Sequence, residues 1–310
     1  MAELRVGTCS WKFPSWRGMV YSTSAQSGYL REYARKYSTV EIDQWFWSLF
    51  SARDVGLPDP GDARRYRASV PDRFRFSVKA PNSITLTHVY RKAKSDPLVA
   101  NPYFLSPVLF EAFLARLDPM HDVLGPVILQ FGYLNQQMMD GQQAFQKRLA
   151  GFFAQAPAGY AYALEIRNPR YLNESFYEFL RAQAVIPVFL QGYWMPSIAL
   201  LYEQWRSLIH GHKQVIIRLH GPDREGIEVK TGKRWDRIVE PRDRELEAVV
   251  AMVEELLGSG VGVYLNVNNH YEGSAPLTID RLRALLGQEP LLQAYEQPSF
   301  DLLAEDQDGV

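Results

Sequence analysis

The stretch VIIRLHGPD, Val215–Asp223, has the composition of a strand buried on both faces, yet it contains an arginine and a histidine. Its valine, isoleucine and leucine residues are typical of a parallel sheet whose two faces are covered by other elements. Arg218 and His220 are two positions apart, so the alternation of side chains along a strand sends both to the same face. The stretch therefore predicts a buried strand with one polar face.

Seven further runs of this kind occur along the chain, and segments with the apolar spacing of helices separate them. The eight runs are LRVGTCS (4–10), TVEID (39–43), FRFSVKA (74–80), PVILQFG (126–132), YALEIR (162–167), IPVFLQG (186–192), QVIIRLHG (214–221) and VGVYLNVNN (261–269). Asn173 is expected to cap the helix after the fifth run, and Gly258 and Gly287 are expected to end the last two helices.

Eight strand–helix units in 310 residues are typical of a (β/α)8 barrel, which usually needs ~250 residues. An open doubly wound sheet is the alternative, but no glycine-rich dinucleotide-binding turn follows the first strand. We predict the α/β class, with one TIM-like barrel over residues 1–298 and an acidic C-terminal tail over 299–310. Long loops are expected after strand three, near 81–106, and after strand seven, near 222–241, where the charged segment resembles a mobile lid.

Composition narrows the classes of function. The chain is 46% hydrophobic and 22% charged, as in ordinary globular proteins. Its formal net charge of −1 provides no global positive field for nucleic acid. The single cysteine allows no internal disulfide, the N-terminus lacks a secretory pattern, and no apolar run is long enough to span a membrane. A cytoplasmic location without membrane insertion is expected.

Polar residues interrupt the apolar runs near their C-terminal ends, often as pairs two positions apart. They are Glu41 and Asp43, Ser77 and Lys79, Gln130, Glu165 and Arg167, Gln191, Arg218 and His220, and Asn266 and Asn268. In a parallel barrel these positions converge at the end where barrel enzymes carry their active sites. A hydrogen-bonded structural network is the alternative, although buried ion pairs contribute little to stability. We predict a ligand-binding or catalytic site at this mouth.

Several motifs resemble the YecE-like family, also called domain of unknown function 72. They are VGTCSWKFPSWRGMVY, YLREYARKYSTVEIDQWFW, VPDRFRFSVKAPNSIT, LGPVILQF, ALEIRNPRYL, IIRLHG and YLNVNNHYEGSAP, in this order along nearly the whole chain. The resemblance implies a TIM-like barrel with these motifs at its mouth and implies no established reaction. Asp43 stands where the family usually has asparagine, and Gln191 where an acidic residue is common.

Four residues are candidates for catalysis. Glu41 and Glu165 are expected to act as acid and base, because carboxylates in different environments can differ in pKa. Lys79 can bind an anion or act as an amine of lowered pKa, and the alternative is a counter-ion for Glu41. His220 completes the set, with a role as a hydrogen-bonded neighbour left open.

Further residues are candidates for holding the substrate: Asp43, Gln130, Arg167, Arg218, Asn268, Asn269, His270, Trp11 and Trp45. Arginines suit planar anions such as carboxylate or phosphate, and tryptophans beyond the strand ends can stack on a sugar or a base. The alternative for the tryptophans is packing in the core.

We therefore expect a hydrolase or isomerase acting on a small anionic, phosphorylated or sugar-like substrate. Binding of nucleic acid or a nucleotide is the first alternative, with phosphoester hydrolysis assisted by a divalent metal. A non-catalytic small-molecule binding protein is the second. No metal ligands are assigned, because HExxH and cysteine-rich zinc spacings do not occur.

Overall fold

Eight parallel strands form a closed barrel in the computed structural model, which describes residues 2–22, 24–52, 54–91, 93 and 95–292. The strands are β1 (Leu4–Thr8), β2 (Thr39–Ile42), β3 (Arg75–Lys79), β4 (Leu124–Phe131), β5 (Tyr162–Ile166), β6 (Ile186–Gly192), β7 (Gln214–Gly221) and β8 (Gly262–Val267). Each strand pairs with its sequence neighbours, and β8 pairs with β1 to close the barrel. The predicted (β/α)8 architecture is confirmed, whereas the acidic tail predicted for 299–310 lies outside the described residues.

Helices alternate with these strands. They are α1 (Tyr29–Lys36), α2 (Pro60–Arg67), α3 (Asn82–Thr85), α4 (Pro107–Leu117), α5 (Gly141–Phe153), α6 (Glu174–Ala182), α7 (Ile198–Ile209), α8 (Arg224–Thr231), α9 (Asp243–Gly258) and α10 (Ala275–Leu285). The predicted cap of α6 is confirmed, because the Asn173 side chain accepts a hydrogen bond from the Phe176 amide at 3.3 Å. Within the described ranges, none of these helices is long and apolar enough to cross a membrane.

The connection after β7 differs from the predicted mobile lid because it contains α8. The Asp223 side chain caps this helix by accepting a hydrogen bond from the Gly226 amide at 2.9 Å. Its basic residues are also paired with acidic ones, in the ion pairs Lys230–Glu240, Lys233–Glu228 and Arg234–Asp236. The segment is therefore an ordered element beside the barrel mouth rather than a set of free cations.

The barrel interior is built in three layers, which follow from strand register and the two-residue alternation of side chains. The lowest layer is apolar and contains Ile128, Ala163, Ile216 and Tyr264, with Ile186 and Val188 packed against them. The middle layer is polar and contains Glu41, Ser77, Gln130, Glu165, Arg218 and Asn266, which lie opposite one another in register on neighbouring strands. The highest layer lies two residues further along each strand and contains Cys9, Asp43, Lys79, Arg167, His220 and Asn268, which all line one cavity.

One predicted strand-end residue, Gln191, does not join these layers. Its neighbour Leu190 is in register with Arg218, so Gln191 points to the opposite face of β6. There its amide donates to Glu245 on α9 at 2.8 Å and its carbonyl accepts from the Ile198 amide at 3.1 Å. Gln191 therefore fixes helices against the barrel and does not contribute to the mouth.

Gly221 is the last residue of β7, and its backbone conformation leads to a testable prediction. Its φ is +74°, and a Cβ atom there would lie 2.4 Å from the carbonyl oxygen of His270. We expect Gly221→Ala to lower the free energy of unfolding by about 2–4 kcal/mol, because both the backbone conformation and the contact become strained. Urea unfolding measures this change.

Gly151 in α5 provides the control, since a Cβ atom there meets nothing within 4 Å. Gly151→Ala should raise stability by about 0.5–1 kcal/mol through helix propensity. Equal effects of the two substitutions would contradict the strained turn at Gly221.

Candidate functional site

Arg218 provides the central guanidinium of the middle layer. Its Nε donates to Glu41 Oε2 at 2.8 Å and its Nη2 to Glu41 Oε1 at 2.6 Å, which makes this pair bidentate. Its Nη1 donates to Gln130 Oε1 at 3.1 Å and to Glu165 Oε2. The three charged side chains are at most 1% exposed. Since its donors already have protein partners, Arg218 is placed to hold the barrel together rather than to bind a substrate anion as predicted.

Glu165 is held by a second cation as well. Its Oε1 accepts from Arg167 Nε at 3.0 Å, while its Oε2 accepts from Arg218. Burial alone raises the pKa of Glu165, but the charges of Arg218, Arg167 and Lys79 outweigh burial and lower this pKa to about 2. The carboxylate is therefore ionised throughout the neutral range.

The contacts of Glu41 and Glu165 show whether these residues are placed to act as the predicted acid and base. A general acid or base works best when its pKa lies near the operating pH, and its oxygen must reach the substrate proton. Both oxygens of Glu41 accept from Arg218, and both oxygens of Glu165 accept from arginines. The geometry thus favours the structural alternative for the two glutamates.

The highest layer opens into a cavity of about 350 Å³ at the C-terminal end of the strands. Among the predicted site residues, those that line it are Glu41, Asp43, Lys79, Gln130, Arg167, Arg218, His220, Asn268, Asn269 and His270. The i, i+2 pattern of strand-end polar residues thus identified a set of side chains that converge, as expected for the mouth of a barrel.

Lys79 is a cation of this cavity whose ammonium group has no carboxylate partner among the described residues. Pairing with Glu41 was the alternative to its predicted catalytic role, but Arg218 occupies that carboxylate. Within the described part of the chain, the Lys79 side chain forms no hydrogen bond or ion pair, and its Nζ lies 4.0 Å from the centroid of the Phe46 ring. The side chain is 9% exposed. Burial, together with the charge of Arg218, lowers the pKa of Lys79 to about 8.

His220 contacts neutral partners. Its Nε2 lies 3.6 Å from Cys9 Sγ and its Nδ1 lies 3.3 Å from the Tyr193 hydroxyl. Burial and the charge of Arg218 lower the pKa of His220 well below its usual range, and burial and the charge of Glu41 raise the pKa of Cys9. Imidazole and thiol are therefore both neutral near pH 7, which is not the state of an activated thiolate.

The residues after β8 form one side of the opening. His270 Nδ1 lies 2.5 Å from Asn268 Oδ1, and its Nε2 lies 3.1 Å from Glu228 Oε1 on α8. Asn269 Oδ1 accepts from the Ala275 amide at 2.8 Å, at the start of α10. Its Nδ2 is buried beside the cavity and has no hydrogen-bond partner among residues 2–292 that are described.

Trp11 and Trp45 are not in the cavity where the sequence prediction placed them. Both are buried around Tyr66, with ring centroids 5.0 Å and 5.7 Å from it, and they line a neighbouring groove. Trp47 and Tyr90 instead line the cavity, with ring centroids 5.6 Å apart. Tyr90 lies in the long loop after β3, where no strand or helix pattern indicated its position.

A metal site was an open alternative at this mouth. Over the described ranges, the structure contains no group of three or more histidine, cysteine, aspartate or glutamate side chains placed to hold a metal ion. The two buried carboxylates of this mouth, Glu41 and Glu165, are paired with arginines.

Comparison with known proteins gives the family of the chain. A family model described as "Protein of unknown function DUF72" matches residues 5–300. The chain belongs to the DUF72 family. The predicted YecE-like resemblance is thus confirmed, and this DUF72 protein finds no match among curated proteins.

Solved structures of two other DUF72 proteins share the fold. A protein from Enterococcus faecalis is 18% identical, with a TM-score of 0.66 over 96% of this chain and 100% of that chain. A protein from Thermotoga maritima is 22% identical, with a TM-score of 0.65 over 92% of this chain and 100% of that chain. These identities support the barrel architecture alone.

The buried ion pairs lead to a prediction for Glu165→Gln. We expect this DUF72 protein to lose roughly 3–5 kcal/mol of unfolding free energy at pH 7, because Arg218 and Arg167 lose a buried counter-charge. Since the folded pKa of about 2 is below the ordinary value of 4.5, the wild type should lose stability as the pH falls from about 4.5 towards 2. The variant should lack this part of the pH dependence.

Denaturant unfolding at several pH values measures both effects, and the exposed Glu178→Gln on α6 is the matched control. A variant as stable as the control would contradict a structural role for Glu165.

Lys79→Met should stabilise the protein, in contrast to Glu165→Gln. The folded pKa of about 8 lies below the ordinary value of 10.5, so the folded state disfavours the charged amine. We expect Lys79→Met to raise the unfolding free energy at pH 7 by roughly 1–3 kcal/mol, since one pKa unit corresponds to about 1.4 kcal/mol.

In the wild type this cost disappears as the pH rises from about 8 to 10.5, because the unfolded chain then binds more protons at this position. The groups that act on Lys79 are Glu41, Asp43, Glu165, Arg218, Cys9 and His220, and they are unchanged in the variant. Unfolding measured from pH 7 to 10.5 compares Lys79→Met with the exposed Lys147→Met on α5. A destabilised Lys79→Met protein would refute the assignment.

Proposed function

We propose that the mouth of the barrel binds a small anionic molecule and that the protein is an enzyme, of hydrolase or isomerase type, acting on it. The observation that carries this proposal is the Lys79 ammonium, which lines the cavity and is almost buried while the nearby carboxylates are held by arginines. A buried charge without a counter-ion is costly, and a bound anion would supply one.

Arg167, which lines the same cavity, supports the same proposal. Its Nε is bonded to Glu165, and its guanidinium lies 4.7 Å from the centroid of the Tyr193 ring. Its two Nη groups have no hydrogen-bond partner in the part of the chain that the structure describes. A carboxylate or phosphate can accept both of these donors, while Lys79 contributes a point charge.

Asp43 is the carboxylate best suited to move a proton here. It lines the cavity and is accessible to solvent, unlike Glu41 and Glu165. The surrounding protein and the charge of Glu41 raise the pKa of Asp43 above its ordinary value, which brings this carboxyl closer to the neutral range. The acid–base function expected of the glutamates is therefore proposed for Asp43.

A nucleotide is a second candidate ligand, and one observation favours it. Trp47 is 63% exposed and Tyr90 is 55% exposed, although both rings line the cavity. Large aromatic side chains exposed at a cavity rim can stack on a base or on the apolar face of a sugar. The base of a bound nucleotide would lie against these rings at the rim, while the phosphate of the nucleotide reached Lys79 and Arg167.

Isothermal titration calorimetry with inorganic phosphate and with malonate tests the anion site. We expect Lys79→Met and Arg167→Met each to weaken binding about tenfold or more, because a hydrogen bond to a charged group contributes about 1.5–3 kcal/mol. Arg116→Met, at an exposed arginine on α4, is the control and should bind as the wild type does. Unchanged affinity in both cavity variants would refute the proposal.

A further inference from the structure

Lys79 has the structural setting of an amine nucleophile. It is the last residue of β3, and its backbone is held in the barrel by pairing with Ile128 on β4. Its Nζ lies over the Phe46 ring and lines the cavity, so the amine is both fixed and reachable by a small molecule. A lysine in apolar surroundings next to another cationic group is a recognised form of activated amine.

We propose that Lys79 forms an imine with the carbonyl group of a small anionic aldehyde or ketone. The inference rests on the proposed function, because Arg167 would hold the negative group of the same molecule. It goes further, since it names a covalent step and the class of substrate.

The neutral amine is accessible near physiological pH. With a pKa of about 8, roughly a tenth of Lys79 is unprotonated at pH 7, compared with less than a thousandth of an ordinary lysine. The positive charge of Arg218 contributes to this lowering of the Lys79 pKa. Arg218 itself is held by hydrogen bonds to Glu41 and Glu165 and forms no hydrogen bond to the Lys79 amine.

The step balances without any further reactant. The ammonium first loses its proton, and the nitrogen lone pair then forms a bond to the carbonyl carbon while the carbon–oxygen π bond breaks and its oxygen gains a proton. The nitrogen of this carbinolamine gives up a proton, the hydroxyl group takes up a proton and leaves as water, and a protonated carbon–nitrogen double bond remains. Asp43 follows the neighbouring strand β2 and lines the same cavity as Lys79, so we assign the exchange of these protons to its carboxyl group.

An imine at Lys79 favours isomerisation over hydrolysis. A protonated imine withdraws electrons from the neighbouring carbon, so a proton on that carbon becomes easier to remove. Removal of this proton and its return at another atom is an isomerisation, whereas hydrolysis does not require the imine.

Reductive trapping tests the inference. The protein is incubated at pH 7 with glyoxylate, a small aldehyde with a carboxylate, in the presence of sodium cyanoborohydride, and peptide mass mapping then locates the reduced adduct. We expect Lys79 to be modified at least roughly tenfold faster than the exposed Lys147, because more of it is the free amine. Modification of Lys79 no faster than Lys147 would overturn the inference.

Two variants make the result specific. Lys79→Met, which is expected to fold more stably than the wild type, should retain only the slow modification of exposed lysines. Lys79→Arg keeps the positive charge but not a primary amine, so it should not form the adduct. A fast adduct that persists in either variant at another lysine would overturn the assignment to Lys79.

A comparison of glyoxylate with acetaldehyde, a neutral aldehyde, distinguishes imine formation at Lys79 from anion binding at the same cavity. With acetaldehyde, Lys79 should still react, but Arg167→Met should slow only the reaction with glyoxylate, by about tenfold. If phosphate binds and Lys79 is not trapped by either aldehyde, the imine is refuted while the anion site stands. If Lys79 is trapped equally by both aldehydes and Arg167→Met has no effect, the imine stands and the anion site is refuted.

Discussion

The guanidinium of Arg218 lies between two buried carboxylates, and the arrangement of the barrel mouth depends on this contact. Its bonds to Glu41, Gln130 and Glu165 join β7 to three other strands across the barrel interior. Each charge in this layer has a partner, which makes burial tolerable although it yields little net stability. The apolar layer of Ile128, Ile216 and their neighbours lies on one side of it, and the cavity lies on the other.

This contact also determines which groups remain for chemistry above it. Because Arg218 takes up Glu41 and shares Glu165 with Arg167, Lys79 is left without a carboxylate in contact within the described chain. The six charged side chains of the two layers cancel when Lys79 is protonated, and the set becomes negative when it is not. Anion binding and the proton on Lys79 are therefore linked, so a bound anion would favour the charged amine.

The barrel and much of its mouth could be predicted because they follow from patterns of period two and from the count of strand–helix units. The i, i+2 pairs such as Glu165 and Arg167 show which face of a strand is polar, but not which partner lies across the barrel. The pairing of Glu41 with Arg218 rather than Lys79 depends on three-dimensional distances, and the outward direction of Gln191 depends on strand register. Trp11 and Trp45 follow strand ends but are buried around Tyr66, and loop geometry of this kind has no period in sequence.

The aromatic rim and the charged layer beneath it differ in how each can change. Trp47 and Tyr90 lie outside the barrel strands and are more than half exposed, so either can be replaced without leaving a buried group unsatisfied. Single replacement of Glu41, Glu165 or Arg218 is costly, since each loss removes a buried counter-charge from the groups that remain. Diversification of ligand preference on this scaffold therefore has an accessible route through single changes at the rim, whereas a different charged layer requires several coordinated substitutions.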